Sequence, residues 1–198
     1  MCDVRCVCVD RLSVGVSANG MMQGPSGANS NVMIADFGVV PARVSQYDML
    51  GYAASQIVSH DTTGVGNATA YQQDGKSVMR WSRQAHNGDN SDAQISLTGV
   101  TNVVWAYGAG NAYSSVPLPP MGNTVVDLSG VASASSSMSL TPTESPSASA
   151  GYVAPSASPY PSAMSWEKST ELTSGLWLRW NRVGDRFDFE ATYSGLAW

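Results

Sequence analysis

Short stretches of alternating apolar and polar residues, rich in β-branched and aromatic side chains, run along this 198-residue chain. Clusters of Gly, Asn, Asp and Ser separate them, and few segments show the 3.6-residue period of a helix. The pattern predicts an all-β antiparallel sandwich. The predicted strands are Leu12–Val16, Val32–Phe37, Met49–Ser59, Ala68–Gln72, Val78–Arg83, Ala93–Leu97, Asn102–Tyr107 and Val125–Leu128.

The segment 131–165 interrupts this pattern, because it consists mainly of Ser, Ala, Pro and Thr. Such a composition buries too little apolar surface to offset an ordering entropy of about 1–2 kcal/mol per residue. The composition predicts a disordered Ser/Pro/Ala linker between two folded parts, 11–130 and 171–198.

The second part, 171–198, has the pattern of a β-hairpin. Its first strand alternates through Leu176-Trp177-Leu178-Arg179-Trp180, and Gly184-Asp185 supplies the turn. Its second strand alternates through Phe187-Asp188-Phe189-Glu190. A hairpin this apolar is not stable alone in water, so we expect it to dock on 11–130.

Composition and charge exclude several functions. A net charge of −5 gives no basic footprint for nucleic acid. No apolar run approaches the roughly 20 residues that span a bilayer, so we expect no membrane-spanning segment in this chain. No secretory signal peptide is visible. The three cysteines, at 2, 6 and 8, match neither a zinc motif nor a redox motif.

Several motifs resemble those of the DOMON domain family. They are the Gly-Met-Met-Gln-Gly loop at 20–24, the Arg-Trp-Ser-Arg strand at 80–83, the acidic turn at 89–92 and the Trp-Ala-Tyr-Gly strand end at 105–108. The hairpin at 171–198 resembles the opening of such a domain. The resemblance implies an immunoglobulin-like antiparallel β-sandwich whose pocket holds b-type haem or, in other members, a sugar.

The order of these motifs is unusual for the family. The hairpin that opens a DOMON domain stands at the C-terminus here, and the strand that normally follows it stands at 12–17. Two explanations remain open. The chain is a fragment of a tandem array with most of one domain and the first hairpin of a second copy, or it is a circularly permuted arrangement in which the hairpin completes the domain.

The resemblance implies a haem site. Met22 of the Gly-Met loop matches the axial ligand to the iron, with Met21 as its neighbour, and Trp105, Tyr107 and Trp81 form the wall of the pocket. The family's second ligand is a His shortly after the Trp-Ala-x-Gly strand. No His follows Gly108 in this chain, so the sequence does not identify a second ligand.

The leading functional hypothesis is therefore a non-catalytic haem b module for one-electron transfer. The resemblance implies a redox protein or a membrane cytochrome domain as its partner, in an extracellular or cell-surface parent protein. A carbohydrate-binding or adhesion module without haem is the alternative, with Trp81 or Trp105 stacking on a sugar. A degenerate copy without ligand is the third hypothesis.

Other polar residues receive structural interpretations. His60 and His86 are interpreted as loop residues without a ligand role, because each precedes turn-forming residues. The acidic turn with Asp89 and Asp92 lacks the framework of a calcium loop and is interpreted as a turn. We expect Arg80 or Arg83 to pair with one of its carboxylates. No residues have the spacing of a catalytic triad or a paired-carboxylate site.

Overall fold

Two antiparallel β-sheets pack face to face as a sandwich, which confirms the all-β prediction. The computed structural model describes residues 11–21, 30–50, 56–60, 64–86, 88, 92–108, 120–129 and 165–194. The strands are β1 (Arg11–Ser17), β2 (Ser30–Asp36), β3 (Arg43–Met49), β4 (Ile57–Ser59), β5 (Val65–Gln73), β6 (Lys76–Gln84), β7 (Val100–Gly108), β8 (Met121–Asp127), β9 (Lys168–Thr173), β10 (Leu176–Val183) and β11 (Arg186–Tyr193). Over these ranges, no helix is long and apolar enough to cross a membrane.

One sheet has six strands in the order β4-β3-β2-β1-β7-β8, and the other has five in the order β5-β6-β11-β10-β9. β1 lies at the centre of the larger sheet, where it pairs with β2 and β7. A Cβ at Gly15 would lie 2.1 Å from the backbone oxygen of Asn31, so only glycine fits this position in β1.

The C-terminal hairpin forms the middle of the five-stranded sheet. β11 pairs with β6 over eight residues, from Arg186 opposite Gln84 to Tyr193 opposite Ser77. β10 pairs with β11 on its other side. The division of the chain into 11–130, 131–165 and 171–198 stays a prediction, and most of the predicted linker lies outside the described residues.

Alternation places the large side chains between the sheets. On β10 the side chains of Leu176, Leu178 and Trp180 are buried, whereas Trp177 and Arg179 are exposed. Phe187 and Phe189 on β11 are buried in the same core, with ring centroids 5.6 Å apart. The burial of these side chains therefore alternates along each strand, as the alternation in the sequence of the hairpin indicates.

Two tight turns also follow the sequence. Asp74 and Gly75 join β5 to β6 with positive φ at both positions, as a type I′ hairpin turn requires. Gly184, at a φ of 64°, begins the turn between β10 and β11. The turn at Gly184-Asp185 falls where the sequence predicted it, and Asp74-Gly75 is the same kind of pair in reverse order.

Two strand predictions need correction, and two strands were missed. Residues 93–97 form no strand, because their backbone groups bond to side chains and to Ala85 instead of to a neighbouring strand. The strand predicted over 49–59 is two strands, with β3 ending at Met49 and β4 beginning at Ile57. Most of β3 and all of β9 were not predicted, since both are polar sequences with few apolar residues.

Candidate functional site

Trp81 lies in the core between the sheets. Its side chain is 4% exposed and stacks on Phe189, with ring centroids 5.1 Å apart. A ring covered in this way has no free face for a porphyrin or a sugar. The structure therefore places Trp81 in the core, away from any open surface.

Trp105 and Tyr107, which the resemblance assigns to the wall of a pocket, lie two residues apart on β7. Their ring centroids are 6.0 Å apart on β7, and Tyr107 contacts Tyr193 of β11 at 4.2 Å. Trp105 is 9% exposed, and Gly122 lies so close to its ring that an added Cβ would be 2.5 Å away. The Trp105 indole is thus covered by the neighbouring strand.

Met21 lies apart from these rings. Its side chain is 51% exposed, and its backbone oxygen accepts hydrogen bonds from Ser17 and Ser30. The preceding Gly20 lies beside Asn102, at the opposite end of β7 from Tyr107. Five residues of strand separate these ends, about 17 Å. Met22 lies outside the described residues, so its predicted role as a haem ligand stays a prediction.

The described part of the sandwich interior contains a cavity of about 20 Å³. It is lined mainly by apolar side chains together with Asn31, Gln46 and Arg83. This volume suits a single water molecule. This cavity is too small for a porphyrin, and within the described residues Met21, Trp81, Trp105 and Tyr107 do not converge on one opening.

A cluster of polar side chains lies next to this cavity, and we call it the polar cluster. Its members come from β2, β3, the end of β4 and the loop after β6: Asn31, Gln46, Asp48, His60 and Asp92. The Asn31 amide nitrogen donates to Asp48 Oδ1 at 2.5 Å and to Asp92 Oδ1 at 2.7 Å. Asn31 Oδ1 accepts the backbone N–H of Ala93.

His60 joins the two carboxylates of this cluster. Its Nδ1 lies 2.8 Å from Asp48 Oδ2, and its Nε2 lies 3.3 Å from Asp92 Oδ1. The imidazole is 11% exposed and Asp92 only 1%. The interpretation of His60 as a loop residue without a role is therefore wrong in one respect, since a carboxylate lies beside each ring nitrogen. His86 is exposed, in agreement with its interpretation as a loop residue.

Arg83 supplies the positive charge beside the polar cluster. The residue is 7% exposed, and its Nη2 donates to the carbonyl of Ala93 at 2.8 Å. Burial lowers the pKa of the Arg83 guanidinium, and the charge of Asp92 opposes this shift. Arg83 is thus the arginine that faces a carboxylate of the predicted acidic turn, whereas Arg80 pairs with Glu190 at 2.7 Å.

The sequence signal for the polar cluster was weak. Gln46 and Asp48 lie on a strand that was not predicted, and His60 is 32 residues from Asp92 in the chain. Gln46 and Asp48 stand two residues apart, so they share a face of β3, but this spacing is no signal without a predicted strand.

The outer face of the five-stranded sheet presents a second candidate surface. Strand register places one row of residues across four strands, which we call the aromatic row: Tyr71, Val78, Thr192 and Trp177. The next row, the charged row, contains Arg80, Glu190 and Arg179. The Glu190 carboxylate forms ion pairs with both arginines: Oε2 lies 2.7 Å from Arg80 Nη2, and Oε1 lies 3.3 Å from Arg179 Nη1. Trp177 is 39% exposed.

Alkaline pH is expected to weaken the contact between Tyr193 and Tyr107. Burial raises the pKa of the Tyr193 phenol above its usual value of 10.0, and the neighbouring Tyr107 raises it further. The neutral phenol is favoured in the folded state, so its stabilisation is complete below about pH 10 and is lost as pH rises through the folded pKa. Urea midpoints measured from pH 8 to 11 should fall less in Tyr193→Phe than in the native chain. An equal fall of the urea midpoint in the two proteins over this pH range would contradict the role assigned to Tyr193.

No family model, no curated protein and no solved structure matches this chain.

Proposed function

We propose that this chain is a non-catalytic binding module that binds carbohydrate on the outer face of its five-stranded sheet. The observation that carries the proposal is the exposed indole of Trp177, in register with Tyr71 and beside a row of hydrogen-bonding side chains. The DOMON resemblance supports the class of ligand, since some members of that family bind a sugar.

The aromatic row suits a chain of sugar rings. Tyr71 and Trp177 lie three strand spacings apart, and each spacing is about 4.8 Å, so the two residues are about 14 Å apart along the row. Aromatic rings offer large apolar faces at a low cost in side-chain entropy. Pyranose rings have apolar C–H faces, and we infer that one of them stacks on Trp177 while the sugar chain runs along the row toward Tyr71. The Arg80 guanidinium lies 5.5 Å from the centroid of the Tyr71 ring and covers one of its faces, so Tyr71 contributes its edge and its other face.

The charged row supplies fixed hydrogen-bonding groups beside those rings. Glu190 holds Arg80 and Arg179 through its two carboxylate oxygens, so the guanidinium groups are already ordered. Ordered donors lose less side-chain entropy when they bind a ligand. Sugar hydroxyls both donate and accept, and they match the remaining N–H groups of the arginines and the hydroxyl of Thr192.

The described residues offer less support for haem. Trp81 and Trp105 are covered, Met21 lies away from Tyr107, and the interior cavity holds a water molecule at most. Haem binding through Met22, a redox partner and an extracellular location stay predictions from the resemblance.

Binding to polysaccharides tests the proposal directly. Soluble derivatives of cellulose, xylan, mannan and polygalacturonate are each added to a non-denaturing gel. We expect at least one of them to retard the unmodified protein. Trp177→Ala should weaken binding about tenfold, because the loss of a stacked ring costs roughly 0.5–1.5 kcal/mol beyond its buried area. Val183→Ala is the matched control, since Val183 is a 70% exposed residue on the same strand.

A haemin titration of the same preparation separates the two hypotheses. A sharp Soret band that Met22→Leu abolishes, with no polysaccharide retardation, would overturn the carbohydrate proposal in favour of haem. Retardation that Trp177→Ala and Val183→Ala reduce equally would also overturn it, since the aromatic row would then have no special role.

A further inference from the structure

The two ring nitrogens of His60 face two different carboxylates. Nδ1 lies 2.8 Å from Asp48 Oδ2, and Nε2 lies 3.3 Å from Asp92 Oδ1. A neutral imidazole carries one N–H and one lone pair, so it can donate to only one of these oxygens. The shorter contact, to Asp48, has the length of an ordinary hydrogen bond. With the proton on Nδ1, the Nε2 lone pair and Asp92 Oδ1 face each other as two acceptors.

The separation of these two acceptors fits a shared metal ion. Ligands to zinc lie about 2.0–2.2 Å from the metal, and a tetrahedral angle between two such bonds places the donor atoms about 3.3–3.5 Å apart. His60 Nε2 and Asp92 Oδ1 are 3.3 Å apart. One ligand atom from each of Asp48, His60 and Asp92 lies within 4.8 Å of the others, so the three side chains converge on one point.

Gln46 provides an independent indication of a ligand. This residue is 2% exposed, and its Oε1 has no hydrogen-bond partner among the residues that the structure describes. A buried carbonyl oxygen without a partner costs about 1–3 kcal/mol. Its Nε2 lies 3.5 Å from Asp92 Oδ1, so the amide group stands at the polar cluster and lines the adjoining cavity. A half-turn of the amide would exchange Nε2 and Oε1, and a cation beside Asp92 would then give Oε1 a partner.

Asp48 occupies the position of an orienting carboxylate. A histidine that binds a metal commonly donates its other ring N–H to a carboxylate, which fixes the tautomer and the direction of the lone pair. The contact of Asp48 Oδ2 with Nδ1 has this geometry, and Asn31 holds the other oxygen of Asp48 at 2.5 Å. The imidazole is therefore pointed at Asp92 by side chains that are themselves fixed.

We propose that the polar cluster binds one divalent transition-metal ion of the zinc class, with His60, Asp92 and Gln46 as ligands and Asp48 as the residue that positions His60. An imidazole nitrogen favours zinc, cobalt or nickel over calcium or magnesium, which prefer oxygen ligands alone. The two carboxylates and Arg83 carry a net charge of −1 when His60 is neutral, and this charge favours a cation. The site is separate from the outer face of the five-stranded sheet, so it stands whether or not that face binds sugar.

Cobalt(II) provides a direct probe. The full chain is treated with a chelator, dialysed and titrated with Co²⁺ while its visible d–d absorption is recorded. We expect saturation at one equivalent and displacement by Zn²⁺. His60→Ala should abolish the band, and Asp48→Asn should weaken Co²⁺ binding about 10–100-fold. The matched control is His86→Ala, because His86 is the other histidine of the chain and is exposed.

A second variant keeps the test decisive if His60→Ala fails to fold. Gln46→Glu adds a negative charge beside Asp92, so without metal its melting temperature should fall below that of the native chain. With Zn²⁺ the same variant should gain more thermal stability than the native chain, because the new carboxylate is a stronger ligand. If the cluster has no affinity for metal, the melting temperature of Gln46→Glu will still fall, but Zn²⁺ will not raise it more than it raises that of the native chain.

The competing arrangement is a doubly protonated His60 that donates to both carboxylates. Nuclear magnetic resonance of the metal-free and Zn²⁺-treated chain distinguishes the two states through the ¹⁵N shifts of the ring. Unchanged shifts of an imidazolium in the presence of Zn²⁺, or a Co²⁺ band that His60→Ala leaves intact, would overturn the proposal.

Discussion

A chain that ends at Ser129 is expected to lose cooperative folding altogether. It lacks β9, β10 and β11, so β6 loses its partner along eight residues. It also lacks large core side chains that are nearly or fully buried, namely Leu176, Leu178, Trp180, Phe187, Phe189 and Tyr193. At about 1.5–3 kcal/mol each, their burial equals the whole stability of an ordinary domain, about 5–15 kcal/mol.

Thermal melts followed by circular dichroism measure this effect. The native chain should show one cooperative transition, and the shortened chain should show none, together with poor dispersion of its amide proton resonances. Deletion of residues 140–155 is the matched control, since the sequence predicts a linker there and the change leaves every described strand intact. A shortened chain that melted like the native protein would mean that the C-terminal strands add nothing to the core.

Asp92→Ala is expected to destabilise the fold by about 3–5 kcal/mol. The substitution leaves the buried guanidinium of Arg83 without its compensating charge. It also removes the oxygen that accepts the Asn31 amide at 2.7 Å. Denaturant unfolding in the presence of a chelator measures this cost without any contribution from a bound metal.

Two further variants show whether the charge of Arg83 is the cause. Asp188→Ala breaks a 3.7 Å contact with Arg186 between two partly exposed side chains, so it should cost no more than about 1 kcal/mol. Arg83→Met in the Asp92→Ala background should recover part of the lost stability, because it removes the uncompensated charge. If the double variant has a lower free energy of unfolding than Asp92→Ala alone, Arg83 stabilises the fold through its hydrogen bond to the Ala93 carbonyl instead.

The hairpin and the inward faces of the sandwich were predictable because their signals are local. Alternation along β10 and β11 is complete within 18 residues, and each tight turn carries its own Gly-Asp or Asp-Gly pair. The strand predicted over 93–97 shows the limit of such signals. Its apolar residues alternate correctly, but its backbone bonds to the side chains of Arg83 and Asn31, which a local pattern does not reveal.

The polar cluster was not predictable for a related reason. Asn31 and Asp92 bond to each other across 61 residues, and sequence order alone does not indicate that β2 and the loop after β6 meet. The aromatic row depends equally on register across β5, β6, β11 and β10. Trp177 and Tyr71 come to lie in one row only after β6, β10 and β11 have paired.

The pairing of β6 with β11 also has a consequence for synthesis on the ribosome. Gln84 leaves the ribosome 102 residues before its partner Arg186. At about 5–20 residues per second, β6 waits roughly 5–20 s with one edge unpaired. An unpaired edge of this kind attracts other strands, so the nascent chain is exposed to aggregation until β11 emerges.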